Sequence, residues 1–201
     1  MKIVIVGASG TIGAALSAHL QSQGHTVIGI SKNSADIKVD MTDVQSMHEA
    51  FSQIGSFDAL VVTAGTVAFN TFPDMSEQEW KLSLDNKLMG QVLLSQVALN
   101  YLTPKGSITL TSGVSSRDCI PQGCASTMVN GALEHFVMAA SLEMPNNLRI
   151  NIVNPTILEE SVEQYGEFFP GFAPVESQKV VMGYVKSIFG VLNGQTIQVF
   201  H

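Results

Sequence analysis

Three glycines at three-residue spacing, Gly7, Gly10 and Gly13, lie between a β-branched apolar run at Lys2–Val6 and a helix-like stretch that opens with Ala14, Ala15 and Leu16. Strand, glycine turn and helix start, in that order, make an anion site. The N–H groups of a helix's first turn have no partner inside the helix, so they are free to point at phosphate oxygens. Glycine is needed there for a tight turn, for close approach of backbone to pyrophosphate, and for close packing of helix on strand. Gly7, Ser9, Gly10, Thr11, Ile12 and Gly13 are therefore expected to hold the pyrophosphate of a dinucleotide. The segment after a second apolar run, ending at Ile30, would meet the ribose. It reads Ser31-Lys32-Asn33-Ser34, with no carboxylate before Asp36. A hydroxyl, a cation and an amide suit a 2′-phosphate where an aspartate would repel it, so NADP is expected rather than NAD.

Other chemistry-bearing residues are sparse. Ser112 closes an apolar strand-like run, but no histidine is placed to activate it as a nucleophile. His19, His25, His48, His135 and His201 are scattered and give no metal-binding pattern. Cys119 and Cys124 lie five apart without metal-ligand spacing, which reads as free thiols in a reducing compartment. A formal charge of −7 argues against a nucleic-acid or anionic-membrane surface. No apolar run approaches a membrane span, so a cytoplasmic protein acting on a small molecule is expected.

The elements that must position these residues alternate. Strands are expected at Lys2–Val6, Thr26–Ile30, Ala59–Thr63, Ser107–Thr111, Arg149–Val153 and Thr196–Phe200. Helices fit between them at Thr11–Gln23, Asp43–Ile54, Ser76–Leu102, Ser126–Glu143 and Ser177–Phe189. Such alternation predicts one α/β domain over residues 1–201: a single doubly wound, Rossmann-type parallel sheet with helices on both faces, its ligand at the carboxyl ends of the strands. Being 45% hydrophobic and only 13% charged suits a buried parallel sheet. The interval Ser31–Ile37 is too short for a crossover helix, so that helix should be missing, with Lys38–Asp40 a stub of a further strand. The segment Pro155–Pro174, carrying Tyr165, Phe168, Phe169 and Phe172, reads as a loop that either covers a pocket or packs on itself.

Six motifs in order resemble the short-chain dehydrogenase/reductase superfamily over nearly the whole chain. Gly7 through Gly13 is similar to its phosphate loop. Val39-Asp40-Met41-Thr42-Asp43 resembles the segment in which Asp40, with Met41 beside it, would face adenine. Thr63-Ala64-Gly65 resembles the Asn-Ala-Gly turn, with Thr63 for asparagine. Asn86 through Gly90 reproduces an Asn-x-x-x-Gly signature on the central helix. Ile108 through Gly113 resembles the strand ending in the active-site serine, here Ser112. Arg149 through Pro155 resembles the last cofactor-contacting strand and its Pro-Gly turn, with Thr156 in place of glycine.

The departure lies in the catalytic helix. The family carries Tyr-x-x-x-Lys there: the tyrosine exchanges a proton with substrate, and the lysine holds the ribose and lowers the tyrosine's pKa. Aligning Asn130-Gly131-Ala132-Leu133 with the family's Lys-Ala-Ala-Leu puts Ser126 at the tyrosine position and Asn130 at the lysine position, and residues 102–164 contain no tyrosine. An alkyl hydroxyl is no unaided general acid. Asn130 can still bond a ribose hydroxyl. The resemblance thus implies a catalytic set of Asn86, Ser112, Ser126 and Asn130, and a small-carbonyl or alcohol oxidoreductase with a non-standard proton relay. The replacement acid is sought on adjacent loops, at Arg117, Asp118, Glu159, Glu160 or Tyr165. The rival expectation is a dinucleotide-binding regulator without chemistry; an epimerase or dehydratase would still need the tyrosine. The resemblance also implies a homodimer or homotetramer built on the helices bearing Val92, Leu93, Leu94, Val97 and Leu99 and Val129, Leu133, Phe136 and Val137.

Overall fold

β-Branched runs bounded by glycine form the strands. The computed structural model describes residues 1–33 and 37–200. β1 (Lys2–Val6), β2 (Thr26–Ile30), β3 (Phe57–Val62), β4 (Leu102–Thr111), β5 (Arg149–Pro155) and β6 (Thr196–Val199) form one sheet in the order β2-β1-β3-β4-β5-β6. Every pairing is parallel. Side chains alternate across it. Val4 and Val6 enter a core shared with Met47, Phe51, Leu94, Val129 and Leu133. Ile3 and Ile5 enter the opposite core with Leu16, Leu20, Val180 and Tyr184. The first core is covered by α2 (Val44–Ile54), α4 (Gly90–Ala98) and α5 (Cys124–Ala140), the second by α1 (Thr11–Ser22) and α7 (Ser177–Phe189). This is the doubly wound fold expected from the alternation.

The chain leaves β1 toward β2 on one side, while β3 lies on the other. A crevice must therefore open beyond the carboxyl ends of β1 and β3, which is where such sheets take ligands. After β2, Ser31 makes an isolated parallel bridge with Lys38, the expected stub of a further strand. Ser31 through Asn33 are bridge and turn. Ser34 and Asp36, part of the selectivity reading, lie outside the described residues.

The long helix expected at Ser76–Leu102 is corrected to three pieces. A capping box between Ser76 and Glu79 starts α3 (Glu77–Ser83), a π-helical turn follows at Leu84–Met89, and α4 ends at Ala98. Leu102 already belongs to β4, where it pairs with Phe57. α5 begins at Cys124 and ends at Ala140, earlier at both ends than expected. The segment 155–174 is a loop with a short helix, α6 (Val162–Tyr165), between 3₁₀ turns.

Candidate active site

Five chain reversals bring the site together, all at the carboxyl edge of the sheet. Gly7 leaves β1 with φ of 88°, a left-handed conformation that favours glycine. Gly10 precedes α1 without a side-chain cap. A Cβ on Gly13 would sit 2.2 Å from the Gly7 carbonyl oxygen, so the cradle closes only with glycine there. Thr63 holds the cradle from β3's end: its hydroxyl donates to the Val6 and Gly7 carbonyls, each at 3.1 Å. Ser9, Thr11 and Ile12 complete the loop as the glycine spacing implied. A helix start without a side-chain cap, beside a strand-end crevice, has the backbone a pyrophosphate requires.

Two cavities lie along this edge. One, of about 370 Å³, is lined by Ser31, Lys32, Asp40, Met41, Ala64 and Gly65 among others, and Asn86 also faces it. This is the set expected to take the adenosine half. Lys32 is not free there: its ammonium pairs with Asp40 at 2.8 Å. That bond, with two more from Thr42, lowers the Asp40 carboxyl to about 2, and the same carboxylate raises the Lys32 pKa. Asn86 accepts from the Thr66 N–H at 2.7 Å, so it braces the turn after β3.

The second cavity, of about 170 Å³, holds Ser112, Ser126, Asn130 and Pro155, together with Lys87, Ser115 and Thr156; Phe169 from the 155–174 loop also lines it. Three of the four expected catalytic residues meet here, and Asn86 does not. Its neighbour Lys87 takes that place. The Lys87 stem packs against Gly65, where a Cβ would come within 2.9 Å of Lys87 Cγ. Burial, uncompensated by any carboxylate among the described residues, pushes the Lys87 ammonium down to about 8.

Hydrogen bonding decides what each group can offer. The Ser112 hydroxyl donates to Glu134 Oε1 at 3.0 Å, so it presents only lone pairs to a ligand. Glu134, from α5, also accepts from the Ser116 hydroxyl, from the Asn154 amide and from Arg117. Asn130 donates to Ser115 at 2.9 Å and to Ser126 at 3.2 Å, and the Ser115 and Ser126 hydroxyls are 2.9 Å apart. The Asn130 carbonyl oxygen is buried and has no partner. An acceptor left this way costs about 1–3 kcal/mol unless a ligand donor reaches it, and a ribose hydroxyl is such a donor. The residues present therefore fit a dinucleotide: a glycine cradle for pyrophosphate and an orphan acceptor for ribose.

The loop acids do not enter. Arg117 is bound to Glu134, Glu160 accepts from the Ser177 N–H, and the Tyr165 ring packs on Phe69. Neither these nor Asp118 and Glu159 line the second cavity. The site also contains residues the motifs did not single out. The Gln91 amide pairs with both the N–H and the carbonyl of Thr111, each at 2.9 Å, and so ties α4 to the strand end beside Ser112. Glu134 lies four residues beyond Asn130, a lone carboxylate in an apolar helix; that contrast was its readable signal.

Residues 7–187 match the family model described as "Enoyl-(Acyl carrier protein) reductase". L-xylulose reductase of Mesocricetus auratus is 23% identical, over 96% of this chain and 86% of its own length. The solved structure of the protein lin1944 from Listeria innocua is 38% identical, with TM-score 0.97 over 100% of both chains. A small-chain dehydrogenase in complex with NADPH is 27% identical, with TM-score 0.88 over 99% of this chain and 96% of that one.

Proposed function

This chain belongs to the short-chain dehydrogenase/reductase superfamily, and we propose that it is an NADP-dependent oxidoreductase that moves hydride to or from a small carbonyl or alcohol through a non-standard proton relay. The observation that carries this reading is one continuous edge: the glycine cradle, the cavity with Lys32 and the cavity with Ser112 lie side by side beyond the strand ends. In it, Gly7, Ser9, Gly10, Thr11, Ile12 and Gly13 hold the pyrophosphate, with Thr63, Ala64 and Gly65 flanking it. Asp40 and Met41 line the adenine, Ser31 and Lys32 the 2′-phosphate, and Asn130 and Pro155 the nicotinamide half. A bound nicotinamide would supply hydride chemistry; the chain's own residues bind it, orient it and handle the proton. An NADPH-bound relative of this fold favours NADP, and relatives named L-xylulose reductase favour a small polyol or ketose.

We take residues 1–201 as one domain and the molecule as a homodimer or homotetramer. Leu94, Val97, Val129, Leu133 and Val137 are spent on the core, while Val92, Leu99 and Phe136 line an apolar groove between α4 and α5 that a second copy would cover.

The deciding experiment is calorimetry with NADPH and NADH, followed by NADPH oxidation against small carbonyls including L-xylulose. Tight NADPH binding with turnover supports the oxidoreductase. Binding without turnover on any carbonyl supports the rival reading, a regulator that keeps the dinucleotide and lacks the tyrosine and lysine. No binding of either dinucleotide defeats both.

A further inference from the structure

We propose that Lys87 Nζ is the proton donor to the substrate oxygen, taking over from a second helix the work that Ser126 cannot do. The proposal rests on the oxidoreductase reading above and assigns its missing acid.

Among the residues lining the second cavity, Lys87 is the one ionisable side chain. The cavity's serine and asparagine groups are otherwise engaged. The Ser112 hydroxyl donates its hydrogen bond to Glu134, and Ser115, Ser126 and Asn130 are bonded to one another. The candidate groups of the adjacent loops do not line this cavity. The π-helical turn at Leu84–Met89 sets the position: Asn86 faces the cavity of Lys32, and the next residue faces that of Ser112. π-turns within helices recur at functional sites, where the extra residue re-aims side chains. Lys87 has no carboxylate partner among the described residues, so its charge is not already neutralised.

The chemistry balances. As hydride adds to the carbonyl carbon, the C–O π pair moves onto oxygen, and that oxygen forms a bond to a proton released by Nζ. The ammonium becomes a neutral amine, which water recharges. In the oxidative direction the neutral amine takes the alcohol proton. An ordinary lysine near 10.4 would be a poor acid and a poorer base at neutral pH. Lowered to about 8, Lys87 is about nine-tenths protonated at pH 7 and gives its proton up more readily. The groups facing it are Ser112 from β4, Ser115, Ser126 and Asn130 around α5, Thr156 after β5 and apolar Phe169, none of which titrates near neutrality; Asp85, on its own turn, is exposed.

The test has three readings. ¹³Cε chemical shifts of the lysines in the cofactor-free protein, followed against pH, should place Lys87 near 8. Lys87→Met should keep NADPH affinity within about threefold and lower kcat for carbonyl reduction by about 10²–10⁴-fold. Lys87→Arg keeps the charge with a donor that does not ionise, and should be as inactive as the methionine variant. The kcat/KM of the unaltered enzyme should fall as pH rises through about 8. Lys87 titrating at its ordinary value, Lys87→Met retaining turnover, or Lys87→Arg restoring it would each overturn the assignment. Absence of NADPH binding in the unaltered protein would instead sink the reading beneath it, and the proposal with it.

Discussion

Replacing Glu134 by leucine should destabilise this protein, and the cost can be built from its partners. The Glu134 side chain is 9% exposed and accepts from four donors: Ser112, Ser116, Asn154 and Arg117. Arg117 is 47% exposed, so loss of that ion pair to water costs a few tenths of a kcal/mol at most. Ser116 is half-buried and can turn to solvent. Ser112 and Asn154 are buried; the Ser112 hydroxyl would lose its acceptor, and of the two Asn154 amide N–H groups one would keep Ser116 while the other is orphaned. At about 1–3 kcal/mol for each unmet donor, and with some return from burying leucine, the sum is about 3 kcal/mol. Glu134→Gln keeps one acceptor oxygen and should cost about 1 kcal/mol. Urea unfolding reads this directly: the leucine variant should lose about 1–1.5 M in midpoint with an unchanged slope. Its Tm should fall by about 6–12 °C. The second consequence is chemical, because the orphaned Ser112 hydroxyl lines the cavity and would donate to a ligand oxygen placed there. If Glu134→Leu comes within about 0.5 kcal/mol of the unaltered protein, the network does not hold this end of the sheet.

Other outcomes follow from single contacts. Gly13→Val should abolish NADPH binding in calorimetry, since even a Cβ would lie 2.2 Å from the Gly7 oxygen and the cradle must open to admit it; retained affinity would mean phosphate binds elsewhere. Lys32→Ala should weaken NADPH at least tenfold and leave NADH unchanged. The Asp40 carboxyl is lowered to about 2 from an ordinary 3.8, so its share of stability is full above pH 3.8 and is lost as pH falls through about 2; NMR titration should find that value, and Thr42→Ala should raise it. Sedimentation at micromolar concentration should give a species well above the 21.5 kDa monomer, and Phe136→Glu, in the groove between α4 and α5, should shift it toward the monomer.

What could be read from the sequence followed from period and punctuation. β-Branched runs separated by helical stretches gave the sheet its composition, and glycine at 7, 10 and 13 marked the cradle, because a close approach to the Gly7 carbonyl leaves no room for a Cβ. Ser112, Ser126 and Asn130 were singled out by resemblance to the family's motifs, and the structure brings all three to one cavity. What was hidden lay beyond local pattern. Nothing in Leu84 through Met89 signals a π-turn, and a helix read with uniform pitch through Ser76–Leu102 carries its phase unbroken past that point. The turn adds a residue to the helix, so facing positions on its two sides no longer share one α-helical register. That single residue separates the Asn86 of the motif from the Lys87 that enters the cavity. Burial completes the concealment, because a lysine between an asparagine and a leucine reads as solvated until the walls around it are known. Glu134 was hidden differently: its four donors come from β4's end, the turn after it and β5, a convergence made by the parallel sheet and not by any stretch of chain. The motifs thus locate the cavity, while the side chains that line it depend on a change in helical pitch and on neighbours far away in sequence.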